Sequence, residues 1–163
     1  TVHIADGRTY LMQSHTEYDV VAVDAYRLPY IPWHLTTVEF FGQIREHLSE
    51  TGVVAINVGH TPDNWRLVEA MVATMRHVYP SVHTLAVPGS FNAIVIATMR
   101  PTSAQNLADN LSWLADERLR VVVQRALANL RQVEANSLIL TDDHAPVEQI
   151  THDLALRYIL GIH

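Results

Sequence analysis

At 163 residues and 48% hydrophobic content, the chain is long enough for one domain with a real core and too apolar to be disordered. Lys and Arg total 11 against 17 Asp and Glu, a formal net charge of −6, and no basic stretch is suited to neutralising phosphates, which argues against nucleic acid as a partner. Cysteine is absent, which excludes disulfide scaffolds and thiolate chemistry, and no apolar run approaches the roughly 20 residues of a membrane span.

With no signal peptide in view, a cytoplasmic protein is the expectation. The chain opens directly on the strand-like run Thr1–Ala5, with no methionine, cap or tail before it, and so reads as a piece of a longer protein. Val2–Ala5 is predicted as a short strand ending at Asp6-Gly7, followed by a brief turn of helix near Thr9–Gln13. Val20–Val23 is the second strand and stops at a carboxylate, Asp24. After a proline-punctuated loop, Thr36 reads as an N-cap whose capping box is completed by Glu39, opening a helix Thr37–Leu48 that ends at Gly52. Its buried positions are Val38, Phe41, Ile44 and Leu48.

Val53–Val58 is a continuous apolar run, the mark of a central strand covered on both faces. Thr61 reads as the cap of a second helix with Pro62 at its first position and a buried stripe of Trp65, Val68, Met71, Val72 and Met75. Val82–Val87 and Ala93–Met99 are strands joined by so short a link that they must be antiparallel. Helices are predicted over Ser103–Leu114 and Glu117–Val133, and a loop carrying Thr141-Asp142-Asp143 leads into a last helix, Pro146–Leu160. The order is one α/β layer with no linker or repeat, read as a single domain over residues 1–163. A closing antiparallel pair on an otherwise parallel sheet is similar to the second half of a class I methyltransferase-type, Rossmann-like sheet, with helices on both faces.

Four stretches carry a closer likeness. Asp6-Gly7-Arg8-x-Tyr10-Leu11 and Tyr18-Asp19-Val20-Val21 running to Asp24-Ala25-Tyr26 resemble the spermidine synthase (polyamine aminopropyltransferase) family. Ile31-Pro32-x-His34-Leu35-x-Thr37-x-Glu39-Phe40-Phe41 and Leu140-Thr141-Asp142-Asp143-x-Ala145-Pro146-Val147-Glu148 resemble its bacterial spermidine synthase-like branch. Some members of that branch are fused to membrane transporter segments, so an upstream membrane segment in the full-length protein is a further expectation. The six glycines, Gly7, Gly42, Gly52, Gly59, Gly89 and Gly161, make no G-x-G. The resemblance therefore begins at the family's third strand, and the glycine-loop first strand and the second strand are expected to be absent.

The resemblance implies a reaction in which an amine nitrogen attacks the methylene beside the sulfonium of decarboxylated S-adenosylmethionine, with no metal. Asp24 would be catalytic, orienting the amine, while Asp6 and Gly7 would contact the adenine of the co-substrate. Tyr26, His34, Asp142, Asp143 and Glu148 become candidate pocket residues. Arg27 joins them as a departure, because it stands where the family generally has a second Asp, and a guanidinium repels a cationic amine. Each position also has a plain structural explanation: a strand-end Asp capping a turn, an Asp-Gly turn, a capping or exposed His, and acids complementing a helix dipole. Ten histidines raise the question of a metal, but no H-x-x-x-H or H-E-x-x-H occurs, and none is assigned.

Two other readings stand beside this one. Arg27 favours an enzyme of the same fold using S-adenosylmethionine itself on another acceptor, and a non-catalytic oligomerising domain is the third. In all of them Val20–Val23 is expected as an exposed sheet edge, which favours a homodimer or higher homo-oligomer. The chain by itself is expected to be inactive.

Overall fold

The computed structural model describes residues 2–25 and 31–161. Five strands form a mixed sheet: β1 (Tyr18–Val23), β2 (Leu48–Gly59), β3 (Ser81–Ala86), β4 (Asn92–Thr98) and β5 (Leu130–Arg131), in the order β1-β2-β4-β3-β5. β1 runs parallel to β2, and the remaining pairs are antiparallel. Around it lie α1 (Gly7–Gln13), α2 (Val38–Glu46), α3 (Arg66–Arg76), α4 (Ala104–Asn110), α5 (Glu117–Ala128) and α6 (Val147–Leu160).

β2 sets the core. Residues 52, 54, 56 and 58 are buried, while 53, 55, 57 and 59 are half-buried. This is the two-residue period of a strand whose faces are unequally covered. The buried face packs Val54, Ile56 and Val58 with Phe41 and Ile44 of α2, Leu67, Val68, Met71 and Met75 of α3, and Val95 of β4. Fully burying a side chain of this size stabilises the fold by roughly 1.5–3 kcal/mol. On the opposite face α4 stands off the sheet across a cavity of about 410 Å³, walled by Val53, Leu85, Ile96 and Leu107. The sheet thus has helices on both faces, closely packed on one alone.

Several expected boundaries move. Val2–Ala5 is not a strand: Val2 and Ile4 are 91% and 101% exposed, and among the described residues no strand pairs with them. The N-cap of α2 is Thr37, whose hydroxyl accepts from the Phe40 N–H at 3.2 Å; Thr36 instead donates its hydroxyl to the Trp33 carbonyl at 2.6 Å. Glu39 closes no capping box with it, because its carboxylate accepts from the Asp142 backbone N–H at 3.0 Å. α2 stops at Glu46 and Leu48 already belongs to β2. Gly52 lies inside that strand, where a Cβ would come within 2.9 Å of Leu48 Cβ and the Ser49 carbonyl oxygen, beside the point where the β1–β2 register shifts. Glycine is needed there for close approach, not for ending a helix.

Thr61 and Asn64 exchange backbone hydrogen bonds in a closed turn, so Pro62 sits in that turn and α3 begins at Arg66, whose N–H donates to Asn64 Oδ1 at 3.2 Å. The β3–β4 link is the tight turn expected, with Gly89 at φ 72°. The helix expected over Ser103–Leu114 closes as α4 and a 3-10 turn at Leu111–Trp113. α5 ends at Ala128 rather than Val133, because Leu130–Arg131 pair with β3 and the Asn129 carbonyl accepts from the Ala86 N–H at 3.1 Å. β1 is the edge strand expected, with Val20 64% exposed.

One buried hydroxyl helps to fasten the segment before α6. Thr74, fully buried in α3, donates to the Ala70 carbonyl at 2.7 Å and accepts from the Leu140 N–H at 2.9 Å. Thr74→Val keeps the shape but strands that N–H, and is expected to lower stability by about 1–3 kcal/mol, whereas Thr74→Ser costs less. Urea unfolding with an unchanged slope reads the difference; a valine variant as stable as wild type would show that Leu140 finds another acceptor.

Candidate active site

The parallel β1–β2 pair brings two strand ends to one side of the sheet, where ligands bind in open α/β folds. Asp24 follows the last residue of β1 and is exposed, and the Asn57 side-chain amide of β2 donates to its Oδ1 at 3.2 Å. The carboxylate is oriented by an uncharged donor. Beside it runs a mainly apolar cleft of about 450 Å³ between β1, α1 and α2, lined by Gly7, Tyr10, Leu11, Val20 and Asp24 among others.

Asp6 heads α1. Its Oδ1 accepts from the Thr9 N–H at 2.9 Å, the cap that starts the helix, and its Oδ2 lies 2.9 Å from His34 Nε2. The Thr9 N–H and then His34 hold its carboxyl below the usual range, against a small opposing effect of burial. An ideal Cβ on Gly7 would meet nothing within 4 Å, so the backbone at this rim is open to close approach. A carboxylate has about four lone-pair sites, so Asp6 retains acceptor capacity after these two bonds.

Asp142 lies in the Thr141–His144 turn that precedes α6. Arg8 of α1 grips it with a two-pronged contact, Nη1 to Oδ1 at 2.8 Å and Nη2 to Oδ2 at 2.7 Å. Thr37 donates its hydroxyl to Asp142 Oδ1 at 2.7 Å. The Arg8 guanidinium, followed by the Thr37 hydroxyl, holds the Asp142 carboxyl below its usual range despite partial burial, and Asp142 in turn raises Arg8.

The structure therefore joins Asp6, His34 and Asp142, through Arg8, into one polar network beside Gly7, and Asp24 lines the same cleft as Gly7. Asp143 and Glu148 are exposed, on the turn and in the first turn of α6. Tyr26 and Arg27 lie outside the described residues. Arg8 and Asn57 were not singled out from the sequence as site residues. Asn57 carried a signal, being the one polar residue in the run Val53–Val58, whereas nothing local to Arg8 points to a carboxylate 134 positions away. Among the described residues no group of three or more His, Asp or Glu is placed to hold a metal ion, and no helix is long and apolar enough to cross a membrane.

Comparisons with known proteins bear on the family and the fold. Residues 1–106 match the spermine/spermidine synthase domain. A probable polyamine aminopropyl transferase of Bifidobacterium longum is 31% identical over 181 aligned positions, covering 97% of this chain and 37% of that protein. A polyamine aminopropyltransferase of Vibrio vulnificus is 32% identical over 101 positions, covering 60% of this chain and 33% of its own length. The chain thus spans about a third of the curated relatives it matches. A spermidine synthase solved in complex with the transition-state analogue AdoDATO superposes with a TM-score of 0.63 at 15% identity, over 96% of this chain and 51% of that one. For a probable spermidine synthase of Corynebacterium glutamicum the values are 0.55, 23%, 83% and 55%. Human methyltransferase-like protein 13 in complex with SAH gives 0.57 at 20% identity, over 84% and 63%. At these identities the structural likeness establishes the fold.

The acid limb of stability tests the Asp142 contact. A carboxyl whose folded pKa is depressed contributes stability above its unfolded pKa of about 3.9, and that contribution is lost as pH falls through the folded value. Asp142→Asn is therefore expected to melt below wild type near about pH 7, with the gap narrowing as pH falls below about 4. A gap that stays constant over that range would mean that charge plays no part in the contact.

Proposed function

The chain belongs to the spermine/spermidine synthase family, and on that footing we propose that its full-length protein transfers an aminopropyl group from decarboxylated S-adenosylmethionine to a polyamine. The observation that carries this reading is the position of Asp24: a carboxylate at the carboxyl end of β1, oriented by Asn57, in the lining of an apolar cleft that Gly7 also lines. The co-substrate supplies an electrophilic methylene next to a sulfonium. The lone pair of the amine nitrogen forms the new C–N bond, the C–S bond breaks, and its electron pair neutralises the sulfur to give methylthioadenosine. The proton leaves the nitrogen for solvent.

An alkylammonium holds its proton to a pKa of about 10.4, and a carboxylate is a poor base for it. Asp24 acts instead by fixing the direction of the amine and stabilising its positive charge next to the apolar cleft wall. Asp6 accepts from the adenine amino group, and Gly7 lets the backbone approach the nucleoside. His34 orients Asp6. Asp143 and Glu148 add negative charge outside the cleft that favours approach of a polyamine.

The 163-residue chain contains no glycine-rich nucleotide loop, and by itself it is inactive and binds adenosyl ligands weakly. Its uncovered β1 edge, with Val20 exposed, pairs with a further strand, so that the isolated chain self-associates. Light scattering at micromolar concentration is expected to show a dimer or larger species; a monomer would remove this part of the reading.

In the full-length protein, Asp24→Asn is expected to lower kcat with putrescine about 100-fold or more while circular dichroism and melting stay at wild-type values. Turnover equal to wild type would overturn the catalytic role of Asp24. Full activity on S-adenosylmethionine and none on its decarboxylated form would replace aminopropyl transfer with methyl transfer, the alternative that Arg27 favours.

A further inference from the structure

We propose that the Arg8–Asp142 fork is the positioning device of the nucleoside-facing rim, so that Arg8 and Asp142 set the orientation of Asp6 and Gly7 without touching the ligand themselves. The proposal deepens the aminopropyltransferase reading and rests on its assignment of Asp6 and Gly7 to the nucleoside.

Packing alone holds α1 weakly. The helix has seven residues and buries one, Leu11, which leaves rotation about its axis and sliding along the sheet to be fixed by something else. Polar contacts from three other elements do this. Arg8 donates from Nε to Gln43 Oε1 of α2 at 3.0 Å, from Nη1 to the His34 carbonyl at 3.3 Å, and from both Nη atoms to Asp142. A planar guanidinium satisfied in this way has one permitted orientation, which a lysine ammonium would not share.

Asp142 is itself immobilised from the far side. Its carboxylate takes the Thr37 hydroxyl, its N–H donates to Glu39 Oε2, and two residues earlier the Leu140 carbonyl accepts from the Val38 N–H at 2.9 Å. The start of α2 and the segment before α6 are thereby clamped together, and α1 is hung from the clamp by Arg8. The path returns to the site through His34, whose carbonyl receives Arg8 and whose ring meets Asp6 Oδ2. A residue near the C-terminal end of the chain thus decides where the Asp6 carboxylate points.

A purely stabilising role explains this less well. The Arg8 and Asp142 side chains keep 17% and 37% of their surface exposed, which weakens the attraction of their charges by screening. What a two-pronged pair fixes is direction, and a carboxylate that recognises an amino group needs direction.

The test uses the full-length protein, with Asp142→Asn, which keeps the shape, and Arg8→Lys, which keeps the charge but loses the fork. Methylthioadenosine binding by calorimetry is the primary readout, and steady-state kinetics with decarboxylated S-adenosylmethionine and putrescine is the second. Each variant is expected to raise the Kd for methylthioadenosine and the KM for the adenosyl donor about tenfold, the scale of one charge-assisted hydrogen bond, with the KM for putrescine within about twofold. The double variant is expected to be no worse than either single one, because the two residues act as a unit. Unchanged Kd in both variants, or a lowered melting temperature with Kd unchanged, would overturn the proposal, and if Asp142→Asn does not fold, Arg8→Lys decides alone. A wild type that binds methylthioadenosine but transfers no aminopropyl group would refute the enzymatic reading while leaving the Kd comparison to decide the positioning role; a wild type that binds none would overturn the positioning role as well.

Discussion

The backbone of Leu48–Gly59 is hydrogen-bonded on both sides, parallel to β1 and antiparallel to β4, and this double pairing is what everything else hangs on. One face of the strand meets the closely packed layer of α2 and α3; the other meets the looser layer of α4. Its parallel partner is aligned so that Val23 sits opposite Ile56, and that register puts Asp24 next to Asn57 at the strand ends. A slip of one residue would turn the apolar set of β2 away from α3 and separate the carboxylate from its amide. The core and the site are therefore consequences of one register.

The three carboxylates Asp6, Asp24 and Asp142 have distinct surroundings. Asp24 is exposed and meets an uncharged amide, so no cationic partner among the described contacts neutralises it. Asp6 is engaged by a helix-capping N–H and an imidazole, which orient it while leaving lone pairs for a donor. Asp142 is gripped by a guanidinium and a hydroxyl and spends its charge on joining α1, α2 and the C-terminal segment. Charge type alone does not separate these roles; the partners do.

Much of the sheet was legible beforehand because its signals are local. The apolar run Val53–Val58, the alternating strands either side of Pro88–Asn92, and the buried stripe of α3 each report a backbone period that neighbours in sequence already encode. The misplaced boundaries have two causes, local competition for hydrogen bonds and tertiary pairing. Thr36 and Thr37 are equivalent as caps until the Trp33 carbonyl claims one hydroxyl and Phe40 the other. Thr61 looks like a cap until Asn64 closes a turn with it and receives the first N–H of α3. Leu130–Arg131 continue a helical pattern, but an open edge of β3 offers them backbone partners. The first two choices are made by hydrogen bonds only two or three residues apart, which compete with the helix start, and the third by the tertiary pairing with β3.

The site divides in the same way. By itself the sequence determined the strand that delivers Asp24, a brief turn of helix near Thr9–Gln13, and a set of motifs sufficient to place the chain in its family, because each lies within a few residues and depends on local geometry. Only the tertiary structure decided that Asn57 orients Asp24, that His34 pairs with Asp6, and that Arg8 reaches across 134 positions to Asp142. Those contacts depend on strand register and on how α1, α2 and the segment before α6 converge. No local pattern reports such convergence, since it is fixed by the packing of the whole core.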